Sequence, residues 1–240
     1  MDTSELKIGI IGAGRWGKNH VMTANSLLQP EQIVVLDFDD KKSSVVKNIN
    51  NKIVFLTDIN KFLNDPDISA VIIATPAQTH MSLAKVFLRK GIDCLVEKPA
   101  FMNMAEYNEI TPYTANAKLM AGHILLYNEH FDFLKQTIVD KEILHIEHRR
   151  LAWGRLQKDI NPILHYAPHD IAILDNLLGT MPDEIHSTGI HIIKQTQPDF
   201  VTCNLKYGKV TVQLQMGWYY HNKVRDISVI TDKGTLIWND

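Results

Sequence analysis

The chain has 240 residues, 45% of them hydrophobic, enough for one large domain or two modest ones with a sizeable buried core. No stretch approaches the ~20 apolar residues of a membrane span, and the start MDTSELKIGIIG has neither the basic flank nor the apolar core of a signal peptide, so cytoplasmic residence is expected. A formal charge of -2 and a pI near 6.6 lack the basic excess of a nucleic-acid footprint.

In the first half, short β-branched runs alternate with helical stretches. Strands are predicted at 6–12, 32–37, 52–56, 69–75, 92–97 and 117–122, the pattern of βαβ units and a parallel sheet covered on both faces. After Gly122 the rhythm changes. A helix near 129–139 precedes a strand at 143–150, and an irregular stretch leads to a helix ending near Leu178. Strands then follow strands at 182–193, 199–207, 209–218, 224–231 and 234–238, with turn signals at Tyr207-Gly208-Lys209 and Asp232-Lys233-Gly234. The predicted fold is therefore an α/β Rossmann domain over 1–122 and an α+β domain with a largely antiparallel sheet over 123–240. Cys94 and Cys203 lie in strand-like runs, too far apart for a zinc knuckle or redox CxxC pair, and read as reduced core residues.

Gly12-Ala13-Gly14-Arg15-Trp16-Gly17 follows the first strand and opens a helix, and Asp37 lies twenty residues beyond the last glycine at the end of the second strand. In that context Gly12 permits a tight turn, Gly14 lets the backbone approach a pyrophosphate, and Gly17 allows close helix-to-strand packing. The helix start offers unpaired N–H groups and positive potential. Asp37 would accept hydrogen bonds from the adenosine ribose, which favours NAD over NADP because a 2′-phosphate would meet a carboxylate; Lys41 and Lys42 leave some room for NADP but read as a solvated helix start. A glycine turn without a ligand is the bland alternative. Arg15 and Trp16 are candidate cofactor contacts, Trp16 equally a packing residue.

ATPAQTH (74–80) and EKP (97–99) follow the fourth and fifth strands, on the side of an open α/β sheet where ligands bind. Thr75 and His80 are candidate cofactor contacts. The competing account has Thr75 capping a helix that begins at Pro76, with His80 packed in its early turns. ILHYAPHDIAIL (163–174) sets His165 and His169 four apart on an apolar helix. A metal reading needs both rings on one helical face; Pro168 argues against it, because a proline belongs in the first turn and would place His165 at or before the helix start. No HExxH pattern supports zinc, and no metal is expected.

GAGRWG, ATPAQTH, EKP and APHDIAIL together resemble the glucose–fructose oxidoreductase and inositol dehydrogenase (Gfo/Idh/MocA) superfamily. The stretches 122–131, 153–174 and 217–240 look like its branch of UDP-N-acetylglucosamine 3-dehydrogenases and related sugar-nucleotide oxidoreductases. The resemblance implies hydride transfer between nicotinamide and a ring hydroxyl or ketone of a sugar or sugar nucleotide, a UDP-N-acetylhexosamine type being favoured. Lys98 and His169 would handle the proton, partial desolvation moving the lysine toward working pH. Without its context Lys98 would read as a solvated loop lysine. Glu97 is expected to touch the nicotinamide ribose and Pro99 to follow a cis bond.

Tyr127 and Asn128 are candidates for the sugar pocket, Tyr127 equally a core residue with its hydroxyl at a rim. Arg155 and Lys158 could meet a diphosphate, although solvated loop charges are the simpler reading.

Relatives carry an aspartate where this chain has His165. A second imidazole and a helix N-terminus both disfavour protonation, so His169 is expected to be mostly neutral near pH 7. Relatives also continue past the position of Asp240, so the second domain reads as shortened, and a homo-oligomer packed through its sheet is expected. The rival reading is a nucleotide-binding relative with weakened or lost catalysis, serving as a sensor or assembly partner; His165 and the short carboxyl end favour it.

Overall fold

The β-branched runs of the first half fold as short parallel strands. β1 (Lys7–Ile11), β2 (Ile33–Leu36), β3 (Val54–Leu56), β4 (Ile68–Ile73), β5 (Asp93–Val96) and β6 (Leu119–Ala121) make a six-stranded sheet in the order β3-β2-β1-β4-β5-β6. Each pairing is parallel. This is a computed structural model that describes residues 6–153, 161–193 and 196–239. Crossovers run through α1 (Arg15–Leu27), α2 (Ser43–Ile49), α3 (Ile59–Leu63), α4 (His80–Leu88) and α5 (Met104–Ile110).

Successive side chains on a strand point to opposite faces. Ile10 therefore joins an apolar cluster with Val21, Ala24 and Val35, while Ile11 joins another with Phe62, Ile73, Phe87 and Val96. Both faces are buried, as a parallel sheet requires. The strand order reverses between β1 and β4, which creates a crevice at the carboxyl ends of the strands.

The chain folds as two compact units, Met1–Gly122 and His123–Asp240. The second contains α6 (Glu129–Ile138), β7 (Ile143–Leu151), α7 (Pro162–Leu178), β8 (Glu184–Ile190), β9 (Phe200–Tyr207), β10 (Val210–Gly217), β11 (Val224–Thr231) and β12 (Gly234–Asn239). Its sheet runs β12-β11-β7-β10-β9-β8. Only the central β7–β10 pair is parallel; the other pairings are antiparallel. The helices pack on this sheet through Phe131, Leu134, Ile173 and Leu174 against Met216, Trp218 and Trp238.

Helix α7 differs from the sequence expectation. It begins at Pro162, not near Pro168, so His165 lies inside its first turn and Pro168 lies mid-helix. Asn161 caps it by accepting a hydrogen bond from the Leu164 N–H at 2.9 Å, Pro162 occupies the first turn, and Gly179 ends it at φ +66°. An interior proline costs roughly 3 kcal/mol because it removes one helical hydrogen bond and crowds the preceding turn. Caps at both ends and a buried face of Tyr166, Ala167, Ile173 and Leu174 offset that cost.

Candidate functional site

The three glycines after β1 are small for different reasons. Gly12 has φ +92°, and a Cβ there would lie 2.7 Å from the Ala74 carbonyl oxygen. A Cβ on Gly17 would lie 1.8 Å from the Gly12 carbonyl oxygen, so α1 is seated directly on the loop. A Cβ on Gly14 would meet nothing within 4 Å. The packing of the chain itself does not require glycine at 14, whereas a ligand approaching the N-terminus of α1 would. Gly14 is also the N-cap of α1, without a side chain to satisfy the first N–H groups.

Arg15 and Trp16 are exposed on the first turn; Trp16 is 41% exposed, so it does not sit as a buried packing residue. Asp37 is held beside the loop by two backbone donors: the Ala13 N–H reaches Oδ2 at 2.7 Å and the Asp39 N–H reaches Oδ1 at 3.0 Å. Each carboxylate oxygen keeps a second lone pair for a hydroxyl donor. The glycine turn, helix start and acidic side chain fit a dinucleotide lying across the strand reversal.

At the ends of β4 and β5, Thr75 does not cap a helix begun by Pro76. Pro76 is itself the N-cap of a 3-10 turn, Ala77–Thr79, that runs into α4, and the Thr75 hydroxyl pairs with the Thr79 hydroxyl at 2.7 Å. His80 is 1% exposed. Its Nδ1 lies 2.9 Å from the Pro99 carbonyl and its Nε2 2.9 Å from the Thr75 carbonyl. Both partners are acceptors, so a neutral ring donates to one at a time. His80 thus braces the loop after β4 against the loop after β5, and its ring nitrogens face protein carbonyls. The Lys98–Pro99 peptide is cis.

Glu97 follows β5 directly, and its Oε2 accepts the Lys98 N–H at 3.3 Å. Its Oε1 lies 2.8 Å from Nε2 of His20, on α1. His20 is a site residue that sequence reasoning missed. One signal was present: it stands three residues after Gly17, on the face of α1 that also turns Val21 and Ala24 inward.

The second unit contains the other candidates. His165 and His169 share α7, so the continuity argument used against a metal falls away. Among the described residues, no group of three His, Cys, Asp or Glu is arranged to hold an ion. The His165 Nδ1 instead accepts the indole N–H of Trp218 at 3.0 Å. His169 meets His123 edge-on, with ring centroids 6.2 Å apart.

Asp170, beside His169, is 1% exposed and takes the Arg150 Nε at 2.5 Å, with His148 Nδ1 at 3.4 Å. Asn128 caps α6 by accepting the His130 N–H at 2.9 Å, a structural task for an amide assigned to a sugar pocket. Tyr127 is 70% exposed, which removes its core alternative. Arg155 and Lys158 lie outside the described residues.

A doubly wound parallel sheet with a glycine-rich turn at its strand reversal is the architecture of a dinucleotide-binding Rossmann unit, and in this chain an α+β unit follows it. Residues 6–123 match the Gfo/Idh/MocA family model, described as the oxidoreductase family with an NAD-binding Rossmann fold, and the chain belongs to that family. Inositol 2-dehydrogenase of Arthrobacter sp. (strain FB24) is 27% identical over 156 residues, 61% of this chain and 46% of that protein. UDP-N-acetylglucosamine 3-dehydrogenase of Acidithiobacillus ferrooxidans is 25% identical over 191 residues, 77% of this chain and 58% of that protein. The chain therefore spans roughly half the length of these curated relatives.

The solved structure of that Acidithiobacillus ferrooxidans enzyme matches with a TM-score of 0.83 at 22% identity, covering 93% of this chain and 71% of that one. Scyllo-inositol dehydrogenase from Lactobacillus casei, solved with NAD(H) and scyllo-inositol, matches at 0.80 and 20% identity, covering 97% and 76%. At these identities the structural likeness establishes the fold.

Proposed function

We propose that the protein is an NAD-dependent oxidoreductase acting on a ring hydroxyl or ketone of a sugar or sugar nucleotide, with UDP-N-acetylhexosamines as the favoured class. The observation that carries this is the cradle at the strand reversal: Gly14 is open to a ligand where Gly12 and Gly17 are closed by the fold, with the Asp37 carboxylate fixed beside it. Bound NAD would supply the hydride acceptor. Gly14 and the N-terminus of α1 would admit its diphosphate on the turn that Gly12 and Gly17 make possible, Asp37 would take the adenosine ribose and disfavour a 2′-phosphate, and Glu97 would take the nicotinamide ribose.

Lys98, half-buried after β5 and followed by the cis peptide, is assigned to take or return the substrate hydroxyl proton. His169, on α7, is the second residue assigned to proton handling. Relatives named for inositol and for UDP-N-acetylglucosamine support this substrate range without choosing within it.

The test is a cofactor-reduction assay over sugar nucleotides, free hexoses and inositols. NADH formation with one of these classes, abolished by Lys98→Ala with NAD binding retained, is expected. NADH binding without turnover across the panel would overturn the enzymatic reading in favour of a sensor or assembly protein.

A further inference from the structure

We propose that His20 is a positioning residue: it sets the Glu97 carboxylate for the nicotinamide-side ribose, so the helix whose N-terminus receives the diphosphate also orients the far end of the cofactor. The proposal rests on the dinucleotide reading of the site. Asp37 follows β2, on one side of the strand reversal, and Glu97 follows β5, on the other. A dinucleotide with its adenosine ribose on Asp37 therefore extends its second ribose toward β4 and β5.

Glu97 is gripped from three directions. His20 Nε2 lies 2.8 Å from Oε1, and the side chains are only 21% and 13% exposed. The Lys98 N–H reaches Oε2. A Cβ on Gly122 would lie 3.4 Å from both Cδ and Oε2, so that glycine forms a close wall. An ionised carboxylate only accepts, so the shared proton sits on Nε2 and His20 is the donor. A glutamate side chain has three rotatable bonds, and a fixed donor on one oxygen selects the rotamer that presents its other lone pairs to a vicinal diol. Gly17 seats α1 on the Gly12 turn, so His20 stands on a helix already locked in place.

The experiment measures binding of NAD, ADP-ribose and ADP by calorimetry to the whole chain and to His20→Leu, His20→Asn and His20→Gln. ADP-ribose carries the second ribose and ADP lacks it. His20→Leu removes the donor, and His20→Asn is too short to reach Glu97. Each should weaken NAD and ADP-ribose by about tenfold, the size of one hydrogen bond to a charged group, and leave ADP unchanged. His20→Gln, whose amide can reach the Nε2 position, should bind NAD within about twofold of the unsubstituted chain. If Leu does not fold, Asn and Gln carry the comparison.

Equal weakening of ADP and ADP-ribose would overturn the proposal in favour of a plain structural staple, as would unchanged binding of all three ligands. Failure of the unsubstituted chain to bind any of them would overturn the cofactor reading itself, and the role of His20 with it.

Discussion

His165 occupies the place where relatives are expected to carry an aspartate, and its surroundings fix which nitrogen bears the proton. Trp218 is 1% exposed and its indole can only donate, so the bonded Nδ1 of His165 is an acceptor and the proton belongs on Nε2. Where the resemblance implies a carboxylate that only accepts, this chain has a ring with a donor. Nitrogen-15 spectra at pH 7 should show a bare Nδ1 and a protonated Nε2 for His165, with Trp218→Phe mixing the tautomers. A proton on Nδ1 in the unsubstituted chain would contradict this.

At Asp37 the argument is electrostatic. Removing the carboxylate in Asp37→Ser takes away the like charge facing a 2′-phosphate, worth about 1.4 kcal/mol, and the ratio of NAD to NADP affinity should fall by about tenfold. An unchanged ratio would place the discrimination elsewhere.

Among the elements, α7 shows where the sequence could be read and where it could not. The strands are legible because their β-branched runs are short and separated by turn residues; the observed strand at 143–151 and helix at 129–138 begin where the pattern begins. For α7 the sequence offers two prolines, and the rule against a proline inside a helix points to the wrong one. Asn161 before Pro162 was the decisive local signal, a cap followed by a first-turn proline. The His20–Glu97 contact joins residues 77 apart in sequence, so no local pattern reports the partner. The glycine loop and Asp37 were legible because their spacing is imposed by one βαβ unit.

The Arg150–Asp170 ion pair ties α7 to β7 beside His169, and both partners are buried. Asp170→Ala removes the buried carboxylate that meets both Arg150 and His148 and should cost about 3 kcal/mol in urea unfolding. Asn161→Ala, which removes only the cap, should cost about 1 kcal/mol. Comparable small losses for both would mean that the pair does little to anchor the helix.

Over the whole molecule, the groups that titrate differently in the folded chain bound the pH range of stability. On the acid side, Asp140 is held low by hydrogen bonds from Lys233 and Lys141, and Glu184 by Lys206; all lie at the surface, where such pairs are well screened. Their contribution is present above the unfolded carboxylate range and is lost as pH falls through the lowered folded values. On the alkaline side the cause is burial. It pushes the Cys94 thiol up to about 12, with Asp93 adding to the effect, and it also raises Cys203, Tyr166 and Tyr207.

Above about pH 9 the unfolded thiol of Cys94 loses its proton while the folded thiol keeps it. The folded state then binds more protons, and stability falls with rising pH by up to about 1.4 kcal/mol per unit for such a group. The urea midpoint should therefore decline from about pH 9, where Cys and then Tyr ionise in the unfolded chain. Cys94→Ala should start from a slightly different midpoint at neutral pH and decline less steeply from pH 9 to 10.5, because the largest of these differences has been removed. A decline parallel to that of the unsubstituted chain would show that the Cys94 proton does not contribute, and would leave the alkaline limit to the buried tyrosines and Cys203.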